Sequence, residues 1–217
     1  MSGGESMRPI FTTGARREPV LCSLQFVACV LIIVGFFGPW VAHETAALTV
    51  TGYELSEFAK FFPQVQAGVV PVKRALLVVP LLAASISLAL VVQRSSAPPL
   101  LRFGATASAA LLGLFVLPPY QAFLEPAYRL QLILVAVGLL LVLLTPVARQ
   151  LSERVRGGLF LLLALSAAVS ALWQVVVLRP LVIDLYGPPI WPGWGFVVCA
   201  IGLLLLLLVG LGDLFTS

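Results

Sequence analysis

Apolar residues along this chain come in long blocks almost free of charge. They do not follow the periods of about 2.0 or 3.6 residues seen in elements with one wet face. Six blocks reach the roughly 17–25 residues that a helix needs to cross a bilayer. They are residues 20–42, 72–93, 100–118, 127–148, 157–179 and 193–213. None has an acid or base in its central third. Lys73, Arg74, Arg102, Arg129, Arg179 and Asp213 lie near block ends, where long side chains reach the interface. The third block is the weakest, diluted by Gly104, Thr106 and Ser108. The pattern predicts an all-α integral membrane protein. Its fold is a six-transmembrane-helix bundle of three helical hairpins with a small exofacial cap, preceded by a basic leader over 1–19.

The longest break between blocks covers residues 43–71. Within it, "AALTVT" is β-branched and extended in character. Thr51 then opens "TGYE", a capping box in which the threonine oxygen takes a first-turn amide and Glu54 reaches back. An amphipathic helix follows over 54–62. Leu55, Phe58 and Phe62 share one face, Glu54, Glu57 and Lys60 take others, and Pro63 ends it. It is far too short to span, so its apolar face belongs on the membrane surface or over the bundle. The segment reads as an ordered lid whose acids face solvent. The run "GPW", an extended stretch, then "TGYEL", within residues 30–60, resembles a pattern in bacterial multi-pass membrane proteins. That resemblance implies no activity and no functional residues.

Prolines punctuate the breaks on one side. The first block exits at Pro39, the third at Pro118–Pro119 and the fifth at Pro180, and the returning blocks start near Pro71, Pro126 and Pro192. Proline suits a first helical turn, where its missing N–H has no partner anyway. Either a true repeat or common loop chemistry produces this grammar. Pro80 falls inside the second block and should kink it. Small residues recur at four-residue spacing: Ala105, Ala109 and Gly113 in the third block, Ala164 and Ala168 in the fifth. Such faces let helices approach closely in lipid, which predicts central third and fifth helices. The sixth block, "GLLLLLLVG", has no small face in its middle and should meet lipid.

Composition agrees with the pattern. Of 217 residues, 60% are hydrophobic and 10% charged, and the mean hydropathy is +1.09. Soluble domains carry about a quarter charged residues, so the bilayer is the expected solvent. The net charge of +4 is too small and its arginines too scattered for a nucleic-acid surface. With the N-terminus inside, Arg8, Arg16, Arg17, Arg94, Arg102, Arg149, Arg154 and Arg156 are cytoplasmic, against Lys60, Lys73, Arg74, Arg129 and Arg179 outside. That bias, led by the arginines before the first block, places both termini in the cytoplasm of a cell-membrane protein. The first block is longer than a signal-peptide core and lacks a clean cleavage site, so it reads as a retained anchor.

Most catalytic chemistry has no residues here. One histidine cannot give two axial haem ligands, and no Cys-x-x-Cys or His-x-x-x-His spacing suits zinc. No phosphate-binding GxxxxGK[ST] and no GxSxG occur. No cofactor and no metal are expected. Cys22, Cys29 and Cys199 read as packing residues. The intramembrane polar groups Gln25, Gln131 and Gln174 can bond across helices. Without a mid-membrane acid or base, ion-coupled transport is disfavoured.

Function is therefore expected on the exofacial face. All tryptophans and tyrosines fall there: Trp40, Tyr53, Tyr120, Tyr128, Trp173, Tyr186, Trp191 and Trp194. They either anchor at the outer headgroups or, with Phe58 and Phe62, build a cap for a partner or an apolar ligand. His43, Glu44, Glu125 and Asp184 on the same side are a speculative polar cluster, although a plain Glu125–Arg129 pair at i,i+4 is simpler. The first reading is a non-catalytic accessory, assembly or interaction subunit, with the lipid bilayer and other membrane-complex subunits as partners. The second is binding or passage of a small neutral or lipid-like molecule in the bundle. The third is an enzyme with an exofacial site.

Overall fold

The computed structural model describes residues 17–43, 48–95, 97–187 and 191–215. Its long helices are α1 (Arg17–Phe37), α4 (Val79–Arg94), α5 (Pro99–Phe115), α6 (Arg129–Leu144), α7 (Glu153–Tyr186) and α8 (Trp194–Phe215), with short α2 (Gly52–Phe58) and α3 (Pro63–Gln66) after α1. Counting adjoining 3-10 turns, five segments are long and apolar enough to cross a membrane: Pro19–Phe37, Arg74–Arg94, Pro126–Gln150, Glu153–Tyr186 and Trp194–Phe215. The expected third span, α5, is a shorter apolar helix of 17 residues. The chain is thus predominantly helical and compatible with a multi-pass membrane protein. Helices suit such a sequence because they bond every interior backbone group within themselves.

Consecutive long helices lie side by side, α1 with α4, α5 with α6 and α7 with α8, while α1 also closes tightly on α8. The centre is the second expected span, not the third and fifth. Of its apolar window 78% is buried, against 28–39% in the other four long segments. Ala83, Ala84, Ser85, Ser87 and Ala89 make α4 narrow on every side, so neighbours surround it. By contrast α5 buries only Ala109 and Gly113 and leans on α4 from outside, with Ala105 half-buried. The Ser85 hydroxyl donates to the Ala109 carbonyl, and Gly113 faces Ser85 and Leu139. A small-residue face permits one close contact but does not say how many neighbours a helix has. In α7, Ala164 is fully buried and Ala168 half-buried.

The sixth span is also packed. Gly195, Cys199, Gly202, Leu206, Val209 and Gly210 form its buried face between α1 and α7. A Cβ on Gly202 would lie 2.8 Å from the backbone nitrogen of Ile32, so only glycine fits. The close approach comes from glycines flanking the leucine run, not from its middle.

Two prolines are placed differently from expectation. Pro80 sits in the first turn of α4, after a 3-10 stretch over Arg74–Val78, and is not a mid-helix kink. Pro180 does not end the fifth span: α7 runs through it to Tyr186. Apolar residues continue past Pro180, so tertiary packing of Leu181 and Val182 holds the helix despite the lost bond.

A three-stranded antiparallel sheet covers one end of the bundle, in the order β2 (Leu48–Thr51), β1 (Pro39–His43), β3 (Trp191–Pro192). Val41 pairs Val50, Ala42 pairs Trp191, and a register shift lies between Pro39 and Val41. The expected extended stretch is β2, with Ala46 and Ala47 outside the described residues. The lid helix starts at Gly52, ends in a 3-10 turn over Ala59–Phe61, and Pro63 begins α3 instead of ending the lid.

Candidate functional site

The cap is organised around Trp40. Its indole N–H donates to the Gly35 carbonyl at 2.9 Å, and its ring meets Phe36 and Phe196 edge-on at 6.1 and 5.4 Å. Gly52, which opens α2, passes directly over this ring. A Cβ there would stand 2.7 Å from an indole carbon, so the glycine of "TGYE" is a requirement of Trp40. The capping box is complete. The Glu54 amide donates to Thr51 Oγ1 at 3.1 Å, and the Thr51 amide donates to Glu54 Oε2 at 3.0 Å.

The lid's inner face is as the spacing predicts. Leu55 and Phe62 are buried. Phe58 is half-buried, stacked on Tyr186 at 6.4 Å and edge-on to Phe62 at 5.4 Å. Tyr53 meets Phe115 at 5.4 Å. Glu57, expected in solvent, is half-buried and bridges elements. It takes the Lys60 ammonium at 2.7 Å and the Tyr128 hydroxyl at 3.4 Å, and the Arg74 guanidinium lies 4.7 Å over the Tyr128 ring. The Glu57 carboxylate bonded to Lys60 holds that ammonium above its ordinary 10.5, against a smaller desolvation effect. Trp194 is exposed beside Gly38. The side chain of Trp191 lies outside the described residues.

Of the speculative polar cluster, two members have described side chains. Glu125 and Asp184 are exposed on separate elements. His43 ends β1, its side chain outside the described residues together with Glu44. Among the described residues no three His, Cys, Asp or Glu side chains converge to hold a metal. Glu125 and Arg129 form no ion pair among those residues. Glu125 precedes a 3-10 turn over Pro126–Tyr128, and α6 begins only at Arg129, so no i,i+4 helical geometry exists between them.

The cap roofs an apolar cleft of about 390 Å³ between α7, α8 and the sheet. Trp40, Leu55, Val175, Leu178, Val182 and Phe196 supply its hydrocarbon walls, and Arg179 is its charged residue. A second hollow of about 180 Å³ continues along the α7–α8 seam, lined by Ala168, Ala171, Leu172, Ala200 and Leu203. Trp40 and Phe196 line both, so the two hollows adjoin and together make up the groove. The groove exists because α7 outruns the other helices and because alanines replace bulk along the seam. Sequence reading placed Arg179 only as a residue at a span end. Its one legible signal was a cation next to a proline; that the helix runs on past Pro180 appears only in the structure.

The opposite end of the bundle holds a polar network that pattern reading missed. Asp213, 1% exposed, accepts from the Arg94 guanidinium at 3.0 Å and from the Gln25 amide at 2.8 Å. Arg94 also pairs Glu153 at 3.1 Å, and Glu153 pairs Arg156 at 3.0 Å. The network ties α1, α4, α7 and α8 at one level. Gln131 bonds across helices to the Val116 carbonyl, as expected. Gln174 does not: fully buried, its amide has no partner among the described residues. No family model, no curated protein and no solved structure matches this chain.

Proposed function

We propose that this chain is a non-catalytic multi-pass protein of the bacterial cytoplasmic membrane that holds an apolar, lipid-like ligand in the groove beneath its cap. The groove itself carries this reading. Its walls are almost wholly hydrocarbon, and ligand sites for such molecules are concave, apolar and sparsely polar. The rigid lid supports it, since a capped helix, a sheet edge and a locked tryptophan fix the roof. In this reading α5 also crosses, which makes six crossings in all, both termini are cytoplasmic and the cap lies outside, supported by the arginine bias.

Saturable immobilisation of a neutral spin-labelled long-chain alcohol by the protein in nanodiscs tests the ligand reading. Val176→Trp, which fills the upper cleft, should abolish immobilisation while the fold is kept. Equal immobilisation by this variant removes the proposal. For topology, an impermeant thiol reagent should modify Ala67→Cys from outside and spare Ser152→Cys, each in a background lacking the native cysteines. A second reading, an interaction subunit, is favoured by exposed Phe61, Val69, Tyr120 and Leu124 around the cap. Under it, Phe61→Asp should weaken recovery of a membrane partner while leaving alcohol binding intact.

A further inference from the structure

One charged residue, Arg179, stands among the residues that line the groove. Arg179 is exposed at the mouth of the cleft, and no hydrogen bond or ion pair to it is made among the described residues. Asp184, the nearest acid in sequence on the same helix, is exposed and forms no ion pair with it. The position of this cation along α7 is informative. Between Arg156 and Arg179 the helix carries no charge, from Gly157 through Leu178. At about 1.5 Å per residue that stretch is about 33 Å long, close to the roughly 30 Å hydrocarbon thickness of a bilayer. With α7 spanning a bilayer, as the proposed function has it, Arg179 stands at the level of lipid phosphates and the seam below it at the level of their chains.

The groove's length fits the same frame. From Arg179 to Ala168, its farthest residue on α7, the rise is about 16 Å. That is about half of the hydrocarbon thickness, the depth of one leaflet. The upper part is the larger, about 390 Å³ against about 180 Å³ below, where Ala168, Ala171 and Ala200 are among the lining residues. A cation with no partner among the described residues, above an apolar seam one leaflet deep, complements an anionic headgroup bearing an acyl chain.

We propose that the α7–α8 groove binds one acyl chain of an anionic phospholipid of the cap-side leaflet, with its phosphate paired to Arg179. This rests on the groove being a ligand site at all, so the test separates the two ideas. The full chain is reconstituted in nanodiscs of phosphatidylglycerol, phosphatidylcholine or mixtures of the two, and retained lipid is read by native mass spectrometry. The variants are Arg179→Gln, which removes the charge, and Ala200→Trp, which narrows the seam from its exposed side. Ala168→Leu serves as a milder filling change, and every variant is checked for a monodisperse, cooperatively unfolding species.

Wild type should retain phosphatidylglycerol over phosphatidylcholine. Arg179→Gln should reduce that preference about tenfold while still retaining lipid, as loss of a charge-assisted phosphate contact would do. Ala200→Trp and Ala168→Leu should lower retention of both lipids alike. If Arg179→Gln keeps the full preference while the filling variants lose lipid, the headgroup assignment fails and the apolar-ligand reading survives. If folded filling variants retain lipid as wild type does, both fail. If inorganic phosphate protects wild type from thermal unfolding as well as phosphatidylglycerol does, and Arg179→Gln removes that protection, the site takes free phosphate and the lipid assignment is overturned.

Discussion

The Arg94–Asp213 pair gives the sharpest energetic test of the bundle. Arg94→Met leaves a carboxylate that is 1% exposed without its guanidinium. Removing one partner of a buried ion pair costs about 3–5 kcal/mol, because the remaining charge has lost its water. Asp213→Leu should fall at the lower end of that range, since Arg94 keeps Glu153 at 3.1 Å and that carboxylate is partly exposed. The double variant strands no buried charge, for Glu153 still has Arg156 at 3.0 Å. Replacing a buried pair by apolar residues of similar volume is often neutral or stabilising. The double variant should therefore be far more stable than the sum of the singles, with a coupling of about 3 kcal/mol or more. Reversible unfolding by sodium dodecyl sulfate in bicelles, followed by circular dichroism, measures all four species. Additive losses would show that the two side chains do not act as a buried pair, and the network's role in fixing α1, α4, α7 and α8 would fall with it.

Four further outcomes follow from the geometry. Gly202→Leu should strongly destabilise the α1–α8 contact, whereas Gly104→Leu, where a Cβ meets nothing within 4 Å, should leave the thermal midpoint nearly unchanged. Gln174→Leu should be neutral or stabilising by up to about 1–3 kcal/mol, since it removes a buried amide without a partner; a clear loss in detergent unfolding would mean that this amide is bonded. Thr51→Ala should cost about 1 kcal/mol and speed proteolysis of the lid near Lys60 without affecting membrane insertion. The Lys60–Glu57 contact holds a lysine whose folded pKa is raised. Its stabilisation is thus complete below the ordinary 10.5 and lost as pH rises through the higher folded value. Lid proteolysis by an alkali-tolerant protease should accelerate in that upper window relative to Glu57→Gln, and equal profiles would discard the contact.

The local elements were legible because their signals are local. Long uncharged blocks mark helices wherever they pack, and "TGYE" gives a capping box from four adjacent residues. Leu55 and Phe58 fall on one face by helical phase, and the lid turns that face inward; Phe62, extended after the 3-10 turn, is buried by packing instead. Identity and spacing also show that Ala109 and Gly113 sit at a close helix contact.

Neighbours and depth were decided by tertiary structure. Whether α4 or α5 is central depends on how many helices surround each one, a quantity that no single helix encodes. β3 is two residues long and has no pattern of its own; it exists because α7 and α8 bring Trp191 and Pro192 beside β1. Asp213 and Arg94 lie 119 residues apart in sequence, and each alone looks like a charge at a span end. Only the packing of four helices puts them at one level and excludes water. The groove is likewise a property of the space between α7, α8 and the cap. Its alanines and Arg179 become a site only when another helix forms the opposite wall.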